Sequence, residues 1–194
     1  FMDLLILSNK DFIASSLSRI CLLICSSIKI CLEKINVKEI ERNEVEVDRL
    51  FHLASKIISI SLNDFNVLQS SGIKYKSVVV SYLLISKKLE NIADEIEDVS
   101  LLLKKSANSK EITFLLSDLK KFVEEKLVFP VKTDVLNTFF LSDTQKEKTD
   151  EQIAKISDLQ IRIRLKAIYR LLYDIQEEMI NLSFYNKLAA KKIL

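Results

Sequence analysis

Glycine and proline are almost absent from this chain: Gly72 and Pro130 are the only ones in 194 residues. Tight hairpin turns draw on both, so an all-β fold is excluded and long helices with few connections are indicated. Tryptophan is missing, and His52 is the only histidine. One histidine is poor material for a Ser-His-Asp or Cys-His site. One glycine rules out a P-loop or a GxGxxG loop. No catalytic constellation is visible, and the chain reads as a non-enzyme. The three cysteines, Cys21, Cys25 and Cys31, fall in one predicted helix. With no second cluster to bridge to, they do not form a secreted disulfide framework. They read as small buried hydrophobes, in a reducing, cytoplasmic setting. A long uncharged run is also missing. The most apolar stretch, ICLLICSSIKICL, is short, carries Lys29 and follows Arg19, whereas a membrane span needs about 20 largely uncharged residues. The opening FMDLLILSNKD has neither a basic leader nor a small-residue cleavage site, so no signal peptide is expected. Nor does one sign of charge dominate: 29 basic and 27 acidic residues leave a net +2. The two signs are interspersed, which gives no electrostatic case for direct nucleic-acid binding.

What is present is a globular balance, 48% hydrophobic and 29% charged, arranged with helical periodicity. Apolar residues at steps of three and four predict a first helix over about 9–34 and a second over about 37–62. The stretch NDFNVLQSSGI reads as a loop, followed by a third helix over about 75–105. Asn108 or Ser109 can cap a fourth helix that Pro130 ends or kinks, with apolar residues resuming at Val131, Val135, Leu136, Phe139 and Phe140. Ser142 can cap a fifth, short helix over about 144–157, and the sixth runs over about 158–188. The predicted fold is all-α: six long helices forming two tandem three-helix bundles, residues 1–106 and 107–194, joined near Ala107.

Carboxylates four residues apart stack on one helix face and can share a cation. Six such pairs occur: Glu44/Asp48, Glu90/Asp94, Asp94/Asp98, Asp143/Glu147, Glu147/Glu151 and Asp174/Glu178. Chance gives roughly four at this acidic content, so position is more informative than number. Glu44 lies on the apolar stripe of Ile40, Val47 and Phe51, and Asp48 borders it. Glu90 and Asp94 flank the small residues Ser86 and Ala93, which would leave room. Acids facing a bundle interior resist desolvation unless a cation or base neutralises them. The candidate metal ligands are therefore Glu44, Asp48, Glu90, Asp94 and Asp98, weighed against a solvated or Lys/Arg-paired edge. His52, four residues after Asp48, could add an imidazole, but a boundary histidine is the simpler reading. The run RIRLKAIYR, with Arg162, Arg164, Lys166 and Arg170, is the most basic patch, and a surface or partner contact is favoured over DNA reading.

Three stretches share a family likeness. KKLENIADEIEDV resembles the third-helix motif of PhoU proteins, regulators of phosphate uptake, with Leu89, Glu90, Ile92, Asp94 and Asp98 in matching places. NEVEVDRLFHLASKII is similar to a second-helix pattern of archaeal PhoU proteins, and RLLYDIQEEMINLS to their closing segment through Asp174, Ile175, Glu177, Ile180 and Asn181. The resemblance implies two repeated three-helix bundles, often dimeric, with acidic motifs that bind iron or zinc. It implies a negative regulator that contacts a phosphate transporter or another regulatory protein, and that approaches the membrane only through that partner. Some archaeal relatives carry a DNA-binding domain ahead of this part, so an accessory domain of a transcription regulator, or a metal-free interaction scaffold, is the alternative. Carried over residue by residue, the motifs place a first-repeat metal site at Glu44, Asp48, Glu90 and Asp94. The second repeat departs from the pattern: Arg170 stands where an acid would precede Asp174, and its guanidinium would neutralise Asp174 in the place of a metal. The family's glycine and histidine of the third helix are Ala93 and Glu95 here.

Overall fold

A computed structural model describes residues 12–71, 73, 75–105, 109–131 and 143–190. All regular structure among the described residues is helical, in seven α-helices: α1 Phe12–Glu33, α2 Val37–Ser61, α3 Phe65–Ser70, α4 Val79–Leu103, α5 Lys110–Lys126, α6 Asp143–Ala154 and α7 Leu159–Ala190. The all-α reading stands, but the helix total differs from the predicted six. The extra element is α3, inside the stretch read as a loop. Asp64 caps it, accepting from the backbone N–H groups of Asn66 at 2.8 Å and Val67 at 3.2 Å. An aspartate that satisfies two free N–H groups can start even a six-residue helix. Elsewhere the punctuation follows local chemistry. Ser109 accepts from the Ile112 N–H at 3.3 Å to start α5, and Asp158 accepts from Gln160 and Ile161 to start α7. A 3₁₀ turn, Lys76–Val78, leads into α4. The cap candidates Asn108 and Ser142, and the apolar positions Val135, Leu136, Phe139 and Phe140, lie outside the described residues.

Helix α4 is the shared rail. It packs on α1, α2 and α7, and its contact with α7 is the most extensive in the fold. The reason is periodicity. Tyr82, Ile85, Leu89, Ile92, Ile96, Val99 and Leu103 on α4 alternate steps of three and four, as do Ile161, Leu165, Ile168, Leu172, Ile175, Met179 and Leu182 on α7, and all are buried. Two such stripes interlock along their whole length. Each fully buried Leu or Ile contributes roughly 1.5–3 kcal/mol relative to exposure. Arg164 meets Glu95 and Asp98, while Lys88 meets Asp174 and Glu178, so the two helices run antiparallel. Helix α1 also packs on α5, and one continuous apolar core includes residues from both sequence halves.

The reading of the N-terminal apolar stretch as too short for a membrane span needs correction. Helix α1 extends upstream through Phe12, reaches 22 residues, and by length and composition alone could cross a membrane, with a mean hydropathy of 1.6 over its best window. In this fold 61% of that window is buried, with Ile13, Leu17, Ile20, Ile24 and Ile28 almost fully enclosed. The same hydrophobicity that would suit a span serves here to fill the bundle centre.

Candidate metal centre

Helices α2 and α4 lie side by side. On α2, Glu44 and Asp48 are one turn apart, flanking buried Val47. On α4, Asp94 follows buried Ala93 and faces the same seam. One carboxylate oxygen from each of Glu44, Asp48 and Asp94 lies within 4.8 Å of the others. Glu44 and Asp48 are half-buried and Asp94 is exposed. No Lys, Arg or His nitrogen among the described residues forms an ion pair with any of the three.

That arrangement carries an electrostatic cost. Partial burial, followed by the charges of Asp48, Glu97, Asp94 and Glu90, pushes the Glu44 carboxyl up from 4.5 to about 7. Partial burial and the neighbouring Glu90 and Asp48 push Asp94 up from 3.8 to about 6, against the opposing pull of Lys87. Asp94 is open to water, so solvent and salt damp its share. Glu97 is also held above its ordinary range, by burial first and then by Glu41 and Asp98. Glu97 was not among the sequence candidates. The signal for it was present, since it follows Asp94 by three residues and therefore shares its side of α4.

The other two sequence candidates have bases for partners. Glu90 is buried, and Lys87, one turn earlier on the same helix, donates to its Oε2 while lying 5.1 Å from the centroid of the Phe51 ring. Asp98 faces the opposite seam, where an Arg164 guanidinium nitrogen reaches its Oδ2 at 3.0 Å; the same guanidinium donates to both oxygens of Glu95 at 3.2 Å. Ser86 and Ala93 are both buried in the core, and the Ser86 hydroxyl donates to the Leu83 carbonyl at 2.8 Å. His52 is exposed, its ring tilted against Phe51, and it is not one of the clustered ligands.

The second half offers no comparable cluster among the described residues. The expected pairing of Arg170 with Asp174 does not form: Arg170 is exposed, and Lys88 from α4 donates to the Asp174 main-chain carbonyl at 3.4 Å and lies 3.9 Å from Glu178. Lys88 thus reaches the Asp174 main chain and the Glu178 carboxylate, and no base pairs with the Asp174 carboxylate among the described residues. The three cysteines are free and buried in α1. Burial raises all three thiols, Cys25 to about 11 and Cys31 to about 12, so the reactive thiolate is disfavoured.

Three oxygen donors from two helices, with one side open to water, suit a hard divalent cation completed by water ligands. They suit zinc less well, because no imidazole or thiolate joins them. Comparison with protein-family models, with curated proteins and with solved structures finds no match for this chain.

Proposed function

We propose that this chain is a non-enzymatic, PhoU-like helical regulator of phosphate uptake and homeostasis. It acts through contacts with a phosphate transporter or another regulatory protein, as a cytoplasmic homodimer. A cation held by Glu44, Asp48 and Asp94 braces α2 against α4, iron fitting this oxygen donor set better than zinc. The observation that carries the reading is the convergence of three carboxylates from two helices with no base among the described residues paired to any of them. Like charges placed together in a partly desolvated seam favour a bound cation. The ordered sequence likenesses add support: two of the three stretches fall on α2 and α4, the helices that contribute these ligands, and the third falls on α7. In this reading α1, α2 and α4, which pack pairwise, make the first repeat, and α5, α6 and α7 a degenerate second.

Elemental analysis of the purified protein after reconstitution with iron, manganese or zinc tests the site, with Glu44→Gln/Asp94→Asn measured alongside. Stoichiometric metal in the wild type and none in the double variant is the expected result. Metal in neither would favour a metal-free interaction scaffold. A second observation speaks for that scaffold, since Glu90, Glu95, Asp98 and Glu178 are already ion-paired to lysine or arginine. The regulatory role is tested separately, by phosphate-uptake assays in cells lacking the protein. Unchanged uptake there would remove the phosphate assignment and leave the metal site standing.

A further inference from the structure

Arg164 is turned toward α4, but its neighbours in the basic run are not. Leu159, Ile163, Lys166 and Arg170 lie at steps of four, three and four along α7, which stacks them in one narrow stripe about 16 Å long on the side away from the core. Leu159 is 53% exposed and Ile163 51%; Lys166 and Arg170 are exposed as well. Arg162 borders the stripe, half-buried. None of Arg162, Lys166 and Arg170 forms an ion pair among the described residues. The opposite face of the same helix, from Ile161 through Leu165, Ile168 and Leu172, is fully committed to the core. The exposed face is therefore free of the core, and it combines two large aliphatic side chains with two exposed cations, Lys166 and Arg170, with half-buried Arg162 at its edge.

We propose that this stripe of α7 is a docking face for an anionic membrane surface, contacted directly. Charge complementarity selects the occupant. Guanidinium and ammonium groups can pair with lipid phosphates while Leu159 and Ile163 enter the headgroup boundary, the arrangement by which interfacial helices bind. Each cation near an anionic bilayer adds about fivefold to partitioning. Three cations and two aliphatic side chains give weak, reversible attachment that salt can release. This departs from an approach to the membrane made only through a protein partner, and it does not depend on metal at the α2/α4 seam.

The test is co-sedimentation with phosphatidylcholine vesicles, with and without phosphatidylglycerol, at low and high salt. Binding only to the phosphatidylglycerol vesicles, and its release by salt, is expected. Lys166→Glu/Arg170→Glu should lower that binding at least tenfold. Leu159→Ser/Ile163→Ser should also weaken it, although net charge is unchanged. All four positions are exposed, and thermal melts of both variants serve to show that the fold is kept. No preference for phosphatidylglycerol, or binding indifferent to both variants, overturns the proposal. So does tight binding of an acidic amphipathic peptide of Glu and Leu by a protein that ignores vesicles, which would assign the face to a partner helix. A change of oligomeric state in the variants without vesicle binding would assign it to a second copy of the chain.

Discussion

Replacing Glu44 by glutamine removes one negative charge from a cluster of like charges and keeps the side-chain shape. The gap between its ordinary value of 4.5 and about 7 corresponds to at most ~3 kcal/mol of destabilisation of the charged form. Glu44 is only half-buried, so water and salt reduce this to about 1 kcal/mol. The direction with pH is fixed. Because the folded value lies above the unfolded one, the folded state holds the extra proton across roughly pH 4.5 to 7, and stability falls as pH rises through that window. Without divalent cation, Glu44→Gln is therefore expected to be more stable than the wild type by about 1 kcal/mol near pH 8, and equal to it at or below about pH 4.5. Urea unfolding at both pH values, with chelator present, measures this directly. Adding the cation that binds at pH 8 should stabilise the wild type and leave the variant unmoved, so that the order of stabilities narrows or reverses. A variant less stable than the wild type by the same amount at both pH values would refute the reasoning. It would mean that Glu44 makes a contact that does not depend on its charge, and that the cluster is no electrostatic liability.

Three further outcomes follow from the α4/α7 seam and the continuous core. Leu165→Ala removes a fully buried side chain from the most extensive helix contact and should cost about 2–5 kcal/mol. Because the core is continuous across the two sequence halves, urea unfolding followed by circular dichroism and by tyrosine fluorescence should give one coincident transition; two separate transitions would show that the halves unfold independently. Arg164→Ala leaves Glu95 and Asp98 without their shared base. The Arg164 side chain is 38% exposed, so the loss should be about 1 kcal/mol and should shrink in high salt; a loss that does not respond to salt would mean that packing of the arginine stem matters more than its charge.

The amino-acid sequence by itself determined the all-helical class and most helix positions. The near absence of glycine and proline removed the alternatives, and apolar residues at steps of three and four have to share one side of a helix whatever surrounds them. It also placed Glu44, Asp48 and Asp94 on candidate faces, and capping chemistry marked the start of α5 at Ser109. It did not reveal α3, because one aspartate at Asp64 and six residues carry too little periodicity to register. What only the tertiary structure decided is the partner of each charge. Glu90, Asp94 and Asp98 form one regular row in the sequence, yet Lys87 takes the first, the α2 carboxylates meet the second and Arg164 takes the third. The step of four residues turns a helix by about 400°, so each residue in the row is displaced by roughly 40° from the last. Over two turns that drift carries the row from the α2 seam to the α7 seam. Which helix stands on either side of α4 depends on long-range packing, and local spacing contains no record of it.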